Sequence, residues 1–399
     1  MLEESLQELS KSMAGIRRLY FLDNLRIGLT VLVIAHHVGQ AYGPTGGWWP
    51  VQEAARAAVL GPFFTVNRSF FMSLFFLISG YLMVASYDRG GPARFLRSRL
   101  LRLGVPLLIF FFLIIPLQQY LGHWRSGDLA GMSFRTYYTH WYFGAGERPA
   151  HWAGPAWPEM NLGHLWYVQH LLIFSLCYAG LRLLWRRPAD AEPCTPRPLR
   201  HKSILLFALA LAFGSAVVRI WYPIDRWIGF LGFIQVAFAD VPRDLSFFVL
   251  GAVAYRRHWF LHVSNRMGMT WLSVGLIAAG LWYAFSLGDL WSVFHIPPET
   301  TGILFPIWEA LLCCGMCIGL IVLFRETLNV QTRWGGQMAE NQYAAYLFHV
   351  PVVILIQVAV AEILLPPFTK FALVTALGVP LTFLLSAMLR TPATVRRIL

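Results

Sequence analysis

Apolar runs of about twenty residues recur from one end of this 399-residue chain to the other, and they restrict the fold more than any single motif does. A helix rises 1.5 Å per residue, so about twenty residues cross the ~30 Å hydrocarbon layer of a bilayer. In lipid every backbone N–H and C=O needs a partner inside the structure, which favours spanning helices. Ten runs fit: Tyr20–Tyr42, Phe63–Tyr87, Leu100–Tyr120, His164–Trp185, Ile204–Trp221, Val241–Tyr255, Met269–Leu287, Thr301–Phe324, Gln337–Glu362 and Phe371–Leu389. With 57% hydrophobic and 13% charged residues and a mean hydropathy of +0.55, a soluble globular chain is excluded. The expected fold is an all-α integral membrane protein of about ten transmembrane helices. The sixth run is short; either Pro242 breaks it or it joins Ile228–Ala239, which reads as a re-entrant piece.

Charge sets the orientation. Alternate connections hold 22 of the 32 Lys and Arg residues, among them Arg89, Arg94, Arg97, Arg99 and Arg102 after the second run. This positive-inside pattern puts both termini in the cytoplasm and makes the net charge of +12 topogenic rather than a nucleic-acid footprint. Residues 1–18 are then a cytoplasmic segment, 19–390 one polytopic domain with an outer aromatic loop over 121–163, and 391–399 a cytoplasmic tail. The first run follows Glu3, Glu4 and Glu8 and is too long for a cleavable signal. Cys177, Cys194, Cys313, Cys314 and Cys317 have no disulfide or zinc spacing and read as packing residues, so no metal is expected.

The first run carries the most distinctive chemistry. Arg26 and His37 are eleven positions apart, about three helical turns, so both fall on one face roughly 16 Å apart. Ionisable groups on a spanning helix should face the protein interior or a wet cavity. His37 is expected near mid-membrane as a proton-transfer residue, with Arg26 near one rim holding an anion. The bland alternative is an arginine snorkelling to headgroups and a histidine bonding a neighbouring helix. His36 points about 80° away from Arg26 and reads as a supporting residue. His349, in the ninth run, has a similar depth; its alternative reading is a histidine satisfied by the turn that Pro351 loosens. Carboxylates that could orient an imidazole or position a substrate hydroxyl are few: Asp23, which can cap the helix and pair with Arg26, then Asp240, Asp244, Glu340 and Glu309, the last inside the eighth run.

At the inner mouth, Arg94, Arg97, Arg99 and Arg102 can clamp phosphates, or act only as a stop-transfer or lipid-binding cluster. On the outer side the loop holds Phe134, Tyr137, Tyr138, Trp141, Tyr142, Phe143, Trp152 and Trp157, an interfacial belt or a rim that stacks on sugars. No internal repeat is evident, which counts against a secondary transporter, the main rival reading.

Arg26-x10-His37 after Leu22-Asp23 resembles the first-helix motif of acyltransferase family 3, the integral-membrane O-acyltransferases of bacteria. Phe70-Phe71…Ser79-Gly80-Tyr81-Leu82, Arg97-Ser98-Arg99 before Pro106, His164-Leu165-Trp166-Tyr167 and Gln342-Tyr343…Phe348-His349-Val350-Pro351 resemble its later motifs, in the same order. Within that family the look is nearest to the glucan biosynthesis protein C group of osmoregulated-glucan succinyltransferases. Ser79-Gly80 reads as close helix packing rather than a nucleophile.

The resemblance implies an acyl-CoA co-substrate in the cytoplasm, no tightly bound cofactor, and a bacterial inner-membrane location. It implies transfer of an acetyl or succinyl group to a saccharide or glycolipid hydroxyl, with a small secreted metabolite or lipid as the alternative acceptor. His37 and Arg26 become the catalytic candidates, supported by Asp23, His36, Glu309 and His349. Arg94, Arg97, Arg99 and Arg102 would bind CoA phosphates; His164, Trp166, Tyr167 and Asp244 would serve the acceptor side. A succinyl donor would want a further cation, for which Arg219 is the candidate. His37 either takes the proton of the attacking hydroxyl or carries the acyl group itself.

Overall fold

The computed structural model describes residues 18–44, 49–127, 129, 131–148, 157–184, 198–230, 234–295 and 298–399. It is mostly helical. The long elements are α1 (Tyr20–Gly39), α2 (Leu60–Arg99), α3 (Val105–Ile109), α4 (Ile115–Ser126), α5 (Trp166–Leu184) and α6 (His201–Trp221). They continue with β1 (Trp227–Phe230), β2 (Ile234–Ala237), α7 (Val241–Arg256), α8 (Asn265–Leu287), α9 (Pro298–Thr327), α10 (Arg333–Val360) and α11 (Pro367–Leu389). Among the described residues eight helical stretches are long and apolar enough to cross a membrane, the longest being Leu60–Ser126. Large apolar side chains such as Leu108, Leu113, Phe213, Ile220, Ile277, Ile303 and Leu355 lie exposed, a surface that suits lipid rather than water. The protein is a multi-pass membrane protein.

The Leu60–Ser126 stretch is not one rod. Gly91 takes φ 68° and ψ 173°, a conformation L side chains rarely adopt, and Pro92 follows it without an N–H to donate. The chain therefore turns there and starts a second arm. Two π turns, Leu100–Gly104 and Phe110–Ile114, interrupt that arm. Where the ladder shifts from i+4 to i+5, carbonyls open to outside donors. The hydroxyl of Tyr343 donates to the Arg102 carbonyl, Tyr142 to Phe111 at 2.7 Å and Tyr138 to Phe112 at 3.0 Å. Tyr137 and Tyr142, of the loop expected on the outer side, are thus fully buried against the protein, not presented as a rim; Trp152 lies outside the described residues.

Small residues set the closest helix crossings. A Cβ on Gly80 would stand 2.1 Å from the Phe248 carbonyl oxygen, and one on Gly251 equally close to that of Leu77, so α2 and α7 meet backbone to backbone. Gly275 and Gly315 bring α8 and α9 together in the same way. The helices α1, α10 and α11 pack against one another.

Three sequence expectations need correction. The apolar stretch at Ile228–Ala239, read as a re-entrant piece beside or joined to the sixth run, is not helical: β1 and β2 form an antiparallel hairpin pairing Trp227 with Ala237. Its β-branched Ile228, Ile234 and Val236 favour extended backbone, and Gln169 of α5 satisfies the edge, donating to the Gln235 carbonyl and accepting its N–H. The expected all-α fold therefore carries one small strand pair. Pro242 does not break the sixth apolar run; it sits in the first turn of α7, where a missing N–H costs nothing. The third span runs beyond Tyr120 to Ser126, where Gly127 at φ 82° ends it.

Candidate active site

Four separate segments bring imidazoles and an indole together. His37 lies in the last turn of α1, nearer its end than the expected middle, because α1 stops at Gly39. Its ring centroid is 5.0 Å from that of His349 in α10 and 6.3 Å from that of His164, just before α5; His164 and His349 are 5.0 Å apart. Pro351 explains the meeting. It cannot donate to the Leu347 carbonyl one turn back, and His164 Nε2 donates there instead at 2.9 Å. The freed carbonyl thus serves His164, while His349 is satisfied by a neighbouring carbonyl of the same turn, as its alternative reading had it. His349 Nδ1 donates to the Tyr346 carbonyl at 2.6 Å. That bond leaves the lone pair on Nε2, which is buried without a hydrogen-bond partner, as is Nδ1 of His37.

Trp49, which sequence reasoning missed, stacks on His37 with centroids 5.5 Å apart and planes within 20°. Its Nε1 donates to Gln357 Oε1 at 2.7 Å, and Gln357 Nε2 donates to the Val38 carbonyl at 3.0 Å. Nothing in the pattern around Trp49 marks it, since it lies in a connection; a buried glutamine eight positions after His349 is the only clue. His36 packs among Phe63, Phe64 and Phe71.

Beneath the imidazoles lies a cavity of about 240 Å³ lined by Arg26, Thr30, Phe75, Ser79, Arg99, Arg102, Tyr167, Gln342, Tyr343 and Tyr346, among others. Among the described residues no carboxylate lines it. Arg26 and Thr30, one turn apart on α1, continue the face that ends at His37. Arg99 lies over the Phe95 ring at 4.9 Å. Arg94 and Arg97 are exposed and outside the lining, since the π turn carries Arg102 toward the cavity and helical phase carries Arg97 away. Tyr346 forms the partition. It faces the cavity, its hydroxyl donates to the His164 carbonyl at 2.5 Å, and its ring is 5.7 Å from His349.

Asp23 does not pair with Arg26. Its carboxylate meets Arg18 at 2.6 Å and makes no cap, so Arg26 is left facing the cavity. Tyr167, expected beside an acceptor, lines the arginine cavity instead and shares a 2.7 Å hydroxyl contact with Ser79. Gly80 supplies the close packing expected of the Ser79-Gly80 pair. Trp166 does stand near Asp244: both border a small recess with Trp227, His170 and Asp240.

A second cluster lies across α2, α6, α7 and α9. Arg243, 2% exposed, bonds Glu309 through NH1, approaches Asp240 at 3.2 Å and Asp244 at 3.4 Å, and donates to Ser73 at 3.0 Å. Arg219 pairs with Glu309 at 2.6 Å and Arg68 with Asp240 at 3.0 Å. Glu309 is therefore a partner in this ionic network, and Arg219 gives one terminal nitrogen to Glu309 while its Nε and other terminal nitrogen stay buried without a hydrogen-bond partner. Sequence reasoning did not single out Arg243; the flanking carboxylates Asp240 and Asp244 were the signal for it. In the outer loop Tyr137 donates to Glu159 at 2.6 Å, and burial together with that carboxylate raises the phenol's pKa above its ordinary value.

The chain is a member of acyltransferase family 3, whose acyltransferase-domain profile matches residues 19–389. Its relatives include glucans biosynthesis protein C of Salmonella schwarzengrund and of Salmonella gallinarum, each 28% identical over 292 residues, covering 69% of this chain and 68% of the relative. No solved structure matches the chain.

Proposed function

We propose that this acyltransferase takes an acetyl or succinyl group from cytoplasmic acyl-CoA and places it on a hydroxyl of an extracytoplasmic or membrane-associated glycan. It would do so from a bacterial inner membrane, with ten spans and both termini cytoplasmic. The sixth span would be α7, and the break at Gly91 would divide the second span from the third. The observation that carries the reading is Tyr346: one ring separates a carboxylate-free arginine cavity from a cluster of three imidazoles. The arginines suit the phosphates of CoA, and the buried imidazoles suit proton transfer at a thioester. The printed name of the Salmonella relatives favours a glucan as acceptor.

In this mechanism Arg99, Arg102 and Arg26 hold the donor while its thioester reaches past Tyr346. His37 takes the proton of the acceptor hydroxyl as that oxygen attacks the thioester carbonyl. The C–S bond then breaks, and the sulfur leaves with the proton returned from the imidazolium. His349 and His164 hold the site in shape and shield it from water, and Trp49 covers the far face of His37. Membranes containing the protein, incubated with radiolabelled acetyl-CoA and succinyl-CoA, should pass one label into the saccharide fraction. Label in neither saccharide nor any other hydroxyl acceptor refutes the reading.

A further inference from the structure

Most polar groups lining the arginine cavity are donors or already engaged. The hydroxyls of Thr30, Tyr343 and Tyr346 donate to backbone carbonyls, and those of Ser79 and Tyr167 bond each other. Gln342 differs. It is 5% exposed, it lines the cavity, and its Oε1 is buried with no hydrogen-bond partner. An unsatisfied buried amide oxygen is costly, and beside a bound phosphate it would be worse, because both groups only accept. Its presence among three guanidinium groups calls for a ligand that brings an N–H donor together with its anionic charge. Arg99 Nε, buried and likewise without a partner, supplies the complementary donor in the same cavity.

We infer that Gln342 is a donor-specificity residue that accepts a hydrogen bond from a secondary amide N–H on the arm linking thioester to phosphate, with Arg99 Nε turned to the arm's acceptor groups. A secondary amide offers both the N–H that Gln342 lacks and the C=O that Arg99 lacks. The assignment rests on the acyl-CoA reading above and names which part of that donor the cavity recognises. The nucleotide then lies outside, near the exposed Arg94 and Arg97.

Gln342→Leu and the unbranched Gln342→Met remove the acceptor at nearly constant volume. Each is assayed with acyl-CoA and with acyl-4′-phosphopantetheine, which keeps the amides and lacks the nucleotide. The expected result is a KM raised about tenfold for both donors with kcat within about twofold, the loss of one buried hydrogen bond. An unchanged KM in either folded variant overturns the assignment. A rise confined to acyl-CoA also overturns it, since the contact then belongs to the nucleotide. Wild-type protein that uses neither donor refutes the acyl-CoA reading itself, and the role of Gln342 with it.

Discussion

The indole of Trp49 lies flat over the imidazole of His37, and its N–H is held by Gln357, eight residues beyond His349 on the same helix. The ring of His37 is thereby fixed from the connection after α1 and from α10 at once. Gln357→Leu breaks both amide contacts and frees the indole to tilt. We expect kcat to fall about tenfold while the donor KM stays put, because the loss is one of orientation. Trp49→Phe keeps a ring on His37 and should lose less. Equal rises in KM without a change in kcat would show that the stack does not orient the base.

His37→Ala should abolish transfer while leaving insertion and gel-filtration behaviour intact, a loss of at least about 100-fold for a missing proton-transfer group. His349→Ala should cost activity through the shape of the cluster. Acyl transfer that persists in well-folded His37→Ala protein removes His37 from the chemistry.

Arg99→Ala and Arg102→Ala should each raise the donor KM by about tenfold, as lost charge-assisted contacts do. Arg94→Ala and Arg97→Ala, exposed and outside the cavity, should have smaller effects that vanish at high salt. Initial rates against donor concentration at two ionic strengths separate the two pairs.

Arg243→Ala leaves Glu309, Asp240 and Asp244 buried beside one fewer cation. Breaking such a network from one side costs about 3–5 kcal/mol, so thermal unfolding in detergent should begin well below that of the parent. An unchanged transition would mean that water reaches these carboxylates.

Gly80→Ala puts a methyl group into the Phe248 carbonyl and must part α2 from α7. A loss of about 1–3 kcal/mol or more is expected, read as a lower yield of monodisperse protein. The same change at Gly214, where a Cβ would meet nothing within 4 Å, serves as the control.

Much of the fold was legible because lipid imposes length and hydropathy on each span, and the run from Tyr20 shows Arg26 and His37 on one face without any knowledge of neighbours. What was hidden depends on contacts between distant segments. Pro351 gives away a carbonyl, but only the fold shows that His164, 187 positions earlier, receives it. Arg243 is placed by Glu309 on another helix, and Trp49 by Gln357 across the whole chain. Tyr167 follows His164 by three residues yet faces the cavity with Arg26, a distinction that helical phase alone does not reveal when the helix start is misjudged. The hairpin at Trp227–Ala237 has the apolar content of a span, and only the side chain of Gln169 discloses its edge.

The break at Gly91 and Pro92 separates two requirements that a continuous helix would bind together. Upstream of it, α2 can be lengthened or shortened to suit a thicker or thinner bilayer. Downstream, the rotational phase of Arg99 and Arg102 is set afresh, so such adjustment to the host lipid leaves both arginines in register with the cavity they line.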